Sequence, residues 1–171
     1  HAGDHALEIL ALEAARARAG AKHLAGVDGA LGTLLDLIEI DSGWESSVEA
    51  ALGDALLAVV VDDPSAGRRA LESLRASNVH GAVLALGVVR SSGTATGPVA
   101  DNAVRPHVRS RSAAVGQLLD TILARAIRAD HFEQALDLAM ANPDAVVVTA
   151  EGDRFGLSGW RLGAAGGGAT A

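Results

Sequence analysis

Residues 50–74 read AALGDALLAVVVDDPSAGRRALESL, and residues 113–138 read AAVGQLLDTILARAIRADHFEQALDL. Both open on two alanines, an apolar residue and a glycine, Gly53 in the first and Gly116 in the second. Val59 aligns with Ile122, and Ala70-Leu71 aligns with Ala135-Leu136. Each stretch is followed by a second apolar run, AVLAL at 82–86 and AVVVT at 145–149. A unit repeated at a fixed interval is a supersecondary element used more than once, and two copies are too few for a solenoid. The pattern predicts two similar lobes, each with a strand, a helix and a strand. The fold class expected is therefore α/β (α+β), with two pseudo-repeated lobes.

The local signals support this order. The run at 58–61 is continuous and β-branched, as in a buried parallel strand. Asp63-Pro64 then reads as a helix start, with the carboxylate as N-cap and proline at the first position. The helix runs to Arg75 and is expected to bury Ala70, Leu71 and Leu74. Upstream, 26–32 is turn-rich, 34–40 (LLDLIEI) is β-compatible, and 45–56 is a helix with Val48, Leu52 and Ala55 on one face. Downstream of 104–112 the pattern predicts a helix near 113–120, a strand near 122–127, a helix over 131–141, a strand at 145–149 and a turn at Glu151-Gly152-Asp153. Helical spacing of Leu7, Leu10 and Ala14 places a short helix over 5–23. The organisation expected is a coiled-coil stub or N-terminal helix at 1–23, lobe one at 24–86, a Gly/Ser/Thr/Pro linker at 87–103, lobe two at 104–165, and a flexible tail at 166–171.

Composition limits the chemistry. Of 171 residues, 49% are apolar and only 2% aromatic, so the core must be built from Ala, Leu and Val. There is no cysteine, which excludes disulfides and thiolate chemistry. No apolar run approaches the roughly 20 residues of a membrane span, and no secretory leader is visible. The chain starts at His1, and the expectation is a segment of a longer protein. The net charge of −7 argues against a basic nucleic-acid coat. Residues 86–129 are the exception, with two acids, Asp101 and Asp120, against six arginines.

No catalytic motif stands out. There is no GxxxxGK[ST] phosphate loop, no GxGxxG between a strand and a helix, and no GxSxG elbow. The six histidines form no HExxH spacing; His1 and His5 are spaced to share a metal on one helix, yet none is expected. Asp62-Asp63 ends a strand, where α/β folds often hold ligands, but the cap explains Asp63. An enzyme or small-molecule-binding domain with a site near Asp62 and Thr149 is the competing reading. Arg105, Arg109 and Arg111, with Arg68 and Arg69, are the candidate contacts to DNA phosphates.

The segment 148–164, VTAEGDRFGLSGWRLGA, resembles the end of the hinge domain of SMC (structural maintenance of chromosomes) proteins. There a strand leads into Val-Thr-x-(Asp/Glu)-Gly-Asp and then Gly-Gly-x-x-Thr-Gly-Gly. Thr149, Glu151, Gly152 and Asp153 match the first part, and Gly159 and Gly163 match two glycines of the second. Ser158, Leu162 and Ala164 depart from it. Gly26-Val27-Asp28-Gly29 with Asp36-Leu37-Ile38, and 47–57 with 59–62, are similar to the opening of that domain.

The resemblance implies a two-lobed domain of a bacterial-type SMC protein that pairs as a homodimer and joins two coiled-coil arms. In it the first lobe of one copy touches the second lobe of the other. Such a heterologous contact used twice closes a two-fold dimer. The implied interface residues are Gly152, Gly159, Trp160, Gly163 and Ala164. The resemblance also implies a nucleoid-associated, cytoplasmic protein acting in chromosome condensation and segregation. ATP and Mg are expected only in head domains outside this chain, and kleisin-type subunits only at those heads. Weak DNA contact is a secondary expectation.

Overall fold

The computed structural model describes residues 15, 17–87 and 101–163. The expected stub over 1–14, with His1 and His5, most of the linker, Ala164 and the glycine tail lie outside the described residues. In chain order the elements are α1 (helical over 17–24), β1 (Ala30–Thr33), β2 (Glu39–Ile40), α2 (Glu45–Leu52), β3 (Val59–Val61), α3 (Pro64–Ala76), β4 (Val83–Ala85), β5 (Val108–Arg109), α4 (Ala113–Ile122), β6 (Ala126–Ala129), α5 (Phe132–Ala141), β7 (Val146–Thr149), β8 (Arg154–Gly156) and β9 (Gly159–Arg161). The chain divides into two compact units. The first comprises His1–Leu37 and Asp54–Arg90, the second Ile38–Gly53 and Ser91–Ala171.

In the first unit the sheet order is β1-β3-β4, with β1 antiparallel and β4 parallel to β3. All three residues of β3 are buried, which explains its unbroken β-branched sequence. The Asp63 carboxylate accepts the Ala66 N–H at 2.7 Å and starts α3. Ala66, Ala70 and Leu74 then pack with Leu24, Val59 and Val61. Leu71, expected inside, is 54% exposed. One residue past Ala70 is about 100° round the helix, which turns it out of the narrow stripe that faces the sheet.

The second unit repeats the motif. β6 and β7 are parallel and joined through α5. Here His131 is the cap, its Nδ1 accepting the Gln134 N–H at 3.2 Å. The sheet continues antiparallel to β8 and β9, in the order β6-β7-β8-β9. Ala129, Ala135, Ala139, Val147 and Phe155 form its core on the α5 side.

The structure differs from the sequence expectations at several points. Ile122 is the last residue of α4, not strand; the Ala126 N–H closes a turn onto the Leu123 carbonyl at 3.1 Å, and β6 starts there. Gly53 follows α2 at φ +56, whereas Gly116 lies inside α4, so their alignment in sequence does not give them one role. Within 34–40 a 3-10 turn, Leu35–Leu37, separates two strands. The Asp36 carboxylate sets it by accepting from the Thr33 N–H at 3.2 Å and hydroxyl at 2.9 Å. The lobe expected to be continuous over 24–86 gives up Ile38–Gly53 to the second unit. There β2 pairs with β5, and the Ser47 hydroxyl of α2 donates to the Thr149 carbonyl at 3.0 Å.

Candidate functional site: the free edge of the second sheet

The Thr-x-Glu-Gly-Asp segment is an internal lock. The buried Asp153 carboxylate accepts the Thr149 hydroxyl at 2.8 Å and the Gly163 N–H at 2.7 Å. The Thr149 hydroxyl in turn accepts the Asp153 N–H at 3.1 Å. This ties the end of β7 to the chain beyond β9. Gly163 lies so close to the Glu151–Gly152 backbone that a Cβ there would overlap the Glu151 carbonyl oxygen and stand 2.8 Å from the Gly152 carbonyl carbon. Glycine at 163 therefore serves packing inside this unit, and glycine at 152 serves a backbone turn at φ +88, where a Cβ would meet only ordinary contacts.

β9 is different. Gly159, Trp160 and Arg161 are all exposed. Gly159 sits at φ +128, and a Cβ there would have nothing within 4 Å. Trp160 meets Phe155 edge-on across the strand pair at 6.1 Å between centroids, yet 59% of it is exposed. Leu157 and Leu162 on either side are 80% and 68% exposed. Among the described residues no strand pairs with the outer edge of β9. A strand edge with free N–H and C=O groups, beside three exposed apolar side chains, is a template for pairing with another chain.

The arginines differ in what holds them. Arg105 is held internally: Nε donates to Asp120 at 2.7 Å, and its two terminal nitrogens donate to the Val108 carbonyl at 2.7 Å and the Gly116 carbonyl at 3.2 Å. Arg109 pairs with Asp41, which also contacts His107 at 3.0 Å. The Arg109 guanidinium holds the Asp41 carboxyl below its usual range against partial desolvation, with His107 adding to the effect; Asp41 pushes Arg109 up in turn. Arg111, Arg68 and Arg69 are exposed, with no ion pair among the described residues.

Sequence reasoning missed the cluster around Trp44. The His107 ring stacks on it at 3.5 Å, and the Arg128 guanidinium lies 3.5 Å from the same ring centre while donating to the Gly43 carbonyl at 3.2 Å. Two groups that close must occupy opposite faces of the indole. This sandwich fastens the start of α2 to β5 and β6. Its only sequence signal was the rarity of tryptophan, two in the chain.

Nothing gathers around the strand ends. The Thr149 side chain is taken by Asp153, and Asp62 is exposed. Among the described residues, no three His, Asp or Glu side chains come together as metal ligands. A cavity of about 430 Å³ lies against β1, lined by Ala21, Lys22, Leu31 and Asp36 among others. No helix among the described residues is long and apolar enough to cross a membrane.

The sequence profile of the SMC proteins flexible hinge domain matches residues 27–139. The chain belongs to the SMC hinge family. Chromosome partition protein Smc of Mycolicibacterium paratuberculosis is 30% identical over 138 residues, covering 77% of this chain and 11% of that protein. The hinge thus spans only a small part of its curated relative. Its fold is that of the Geobacillus stearothermophilus SMC hinge domain, solved as an asymmetric dimer, with TM-score 0.69 and 23% identity over 85% of this chain and 63% of that one. It is likewise that of the Pyrococcus furiosus Smc hinge domain with an extended coiled coil, with TM-score 0.72 and 22% identity over 92% and 60% of the two chains. The family match, which covers 27–139 and not the 148–164 segment, bears out the resemblance to SMC hinges, and the solved hinge structures bear out the α/β class.

Proposed function

We propose that this hinge is a non-catalytic dimerisation module that joins the two coiled-coil arms of a chromosome-partitioning SMC protein. The observation that carries the reading is β9: a glycine-started strand with an unpaired edge, flanked by exposed Leu157, Trp160 and Leu162. Burying three such side chains removes apolar surface from water at roughly 25 cal/mol per Å². Gly159 leaves the approach to that edge free of a side chain. The solved Geobacillus hinge, described as a dimer, supports self-association. In this reading ATP hydrolysis and kleisin binding belong to other parts of the parent protein, which works on the chromosome inside the cell.

Contact with DNA is a separate and weaker reading. Arg105 and Arg109 are neutralised by Asp120 and Asp41, so Arg68, Arg69 and Arg111 are the groups left to make it.

Sedimentation over a dilution series tests the main reading. A homodimer is expected at micromolar concentration, and Trp160→Glu should give a monomer with an unchanged circular dichroism spectrum. A parent chain that sediments as a monomer would sink the proposal.

A further inference from the structure

We infer that one exposed flank of α5 is a docking face for a basic amphipathic helix of another protein. The internal repeat provides the comparison. α3 and α5 are the same element of the two units, each joining two parallel strands. With Ala70-Leu71 aligned to Ala135-Leu136, the two helices can be compared position by position. Toward the sheet they agree: Ala70 and Leu74 are buried in α3, and Ala135 and Ala139 are buried in α5.

They part on the next stripe round. In α5, Phe132, Leu136 and Met140 follow at intervals of four residues and line one flank, about 12 Å long at 1.5 Å per residue. Phe132 is 45% exposed and Met140 60%, with Leu136 half-buried between them. The same three positions of α3 hold Gly67, Leu71 and Arg75. A strand–helix–strand unit of this kind therefore folds without a ring or a thioether on that stripe. Single exposed apolar side chains are ordinary, but a row of them on one helix flank marks a contact surface.

Charge names the occupant. One residue on from Phe132 and Leu136, about 100° round the helix, stand Glu133 and Asp137. Both are exposed, and neither has an ion pair among the described residues. Their counterparts in α3 are Arg68 and Glu72, of mixed sign. An acidic row beside an apolar row repels phosphates, which argues against nucleic acid and anionic lipid. It suits a helix whose apolar residues at i, i+4 and i+7 meet the stripe while Lys or Arg reach the two carboxylates. A second copy of this hinge offers no such helix among its described elements. Only α3 combines exposed arginines with an exposed large apolar side chain, and that is the single Leu71. The stripe uses no residue of β9, so docking and dimerisation are tested apart.

The probe is a dye-labelled synthetic peptide of about 18 residues, long enough to form a helix in water, with Leu along one face and Lys beside it. A second peptide has Glu in place of every Lys. Fluorescence anisotropy with the whole chain is expected to show the Lys peptide binding at least tenfold more tightly. Phe132→Ser with Met140→Ser should weaken that binding at least tenfold. Glu133→Lys with Asp137→Lys should reverse the preference, and this surface pair decides the matter if the serine variant loses its circular dichroism spectrum. Asp54→Lys with Glu72→Lys, both exposed in the first unit, makes the same change in net charge and should leave the Lys peptide within twofold of its parent affinity. An equal loss from that control pair would mean general attraction to an acidic protein and would overturn the docking face. So would a folded serine variant that binds like the parent, or a parent that binds neither peptide. Sedimentation gives the last check: if the serine variant falls from dimer to monomer, the stripe belongs to the contact between copies and not to a foreign helix.

Discussion

Gly163→Ala should destabilise the second unit, and the size of the effect can be worked from its surroundings. The added methyl would stand 2.8 Å from the Gly152 carbonyl carbon and 3.0 Å from its oxygen, where 3.4 Å is the near limit of ordinary contact. The methyl would also overlap the Glu151 carbonyl oxygen, so relief needs a shift of more than about half an ångström between two backbone segments, with no flexible side chain available to give way. Overpacking of this kind costs about 1–3 kcal/mol. The shift also stretches the Gly163 N–H bond to the buried Asp153 carboxylate, now 2.7 Å; a hydrogen bond to a charged group is worth about 1.5–3 kcal/mol. Partial loss of that bond brings the expected total to about 3 kcal/mol, a large share of the 5–15 kcal/mol typical of a domain. Gly159→Ala meets no atom within 4 Å and bears only the strain of φ +128, about 1–2 kcal/mol. Urea unfolding followed by circular dichroism, at matched protein concentration because dimerisation adds to stability, should rank the variants parent, Gly159→Ala, Gly163→Ala. With a slope near 2 kcal/mol/M, the midpoint for Gly163→Ala should fall by roughly 1.5 M. A midpoint within 0.3 M of the parent, or a greater loss at Gly159, would refute the assignment of Gly163 to an internal contact.

Other predictions follow from the same geometry. Thr149→Val keeps the shape of the side chain but removes the hydroxyl that donates to Asp153 and accepts its N–H; a loss of about 1–3 kcal/mol is expected in the same urea experiment. Arg105→Ala should cost about 1–3 kcal/mol because it removes the donor to the Val108 carbonyl and the ion-pair partner of Asp120, while Arg111→Ala should stay within about 0.5 kcal/mol; thermal melts will separate them. Asp41 has a folded pKa below its unfolded value near 3.8, so its contribution is fully present above that pH and is lost as pH falls through the lower folded value. Asp41→Asn should therefore melt below the parent at pH 7, with the gap closing under pH 4. A gap that widens on acidification would reverse the sign of the argument.

Much of this hinge is written locally. The two strand–helix–strand units were legible because each signal lies within a few residues: a β-branched run, a capping side chain, an apolar stripe of helical period. The family was legible for a related reason. Thr149, Gly152, Asp153 and Gly163 must occur at fixed spacing, because the lock they make closes over a short stretch of chain. The sequence could not, however, distinguish the two glycines. Gly159 and Gly163 both read as interface residues, and only the packing shows one in the open and the other pressed on backbone. The hairpin β8–β9 was hidden because strands of three residues carry too little alternation to register as a period. The transfer of Ile38–Gly53 to the second unit rests on Ser47 meeting Thr149, 102 residues away. The role of Arg105 likewise depends on which carbonyls and which carboxylate the fold brings to it. Local chemistry set what each segment became; contacts between distant residues decided which unit it joined and which of its groups remained available to another molecule.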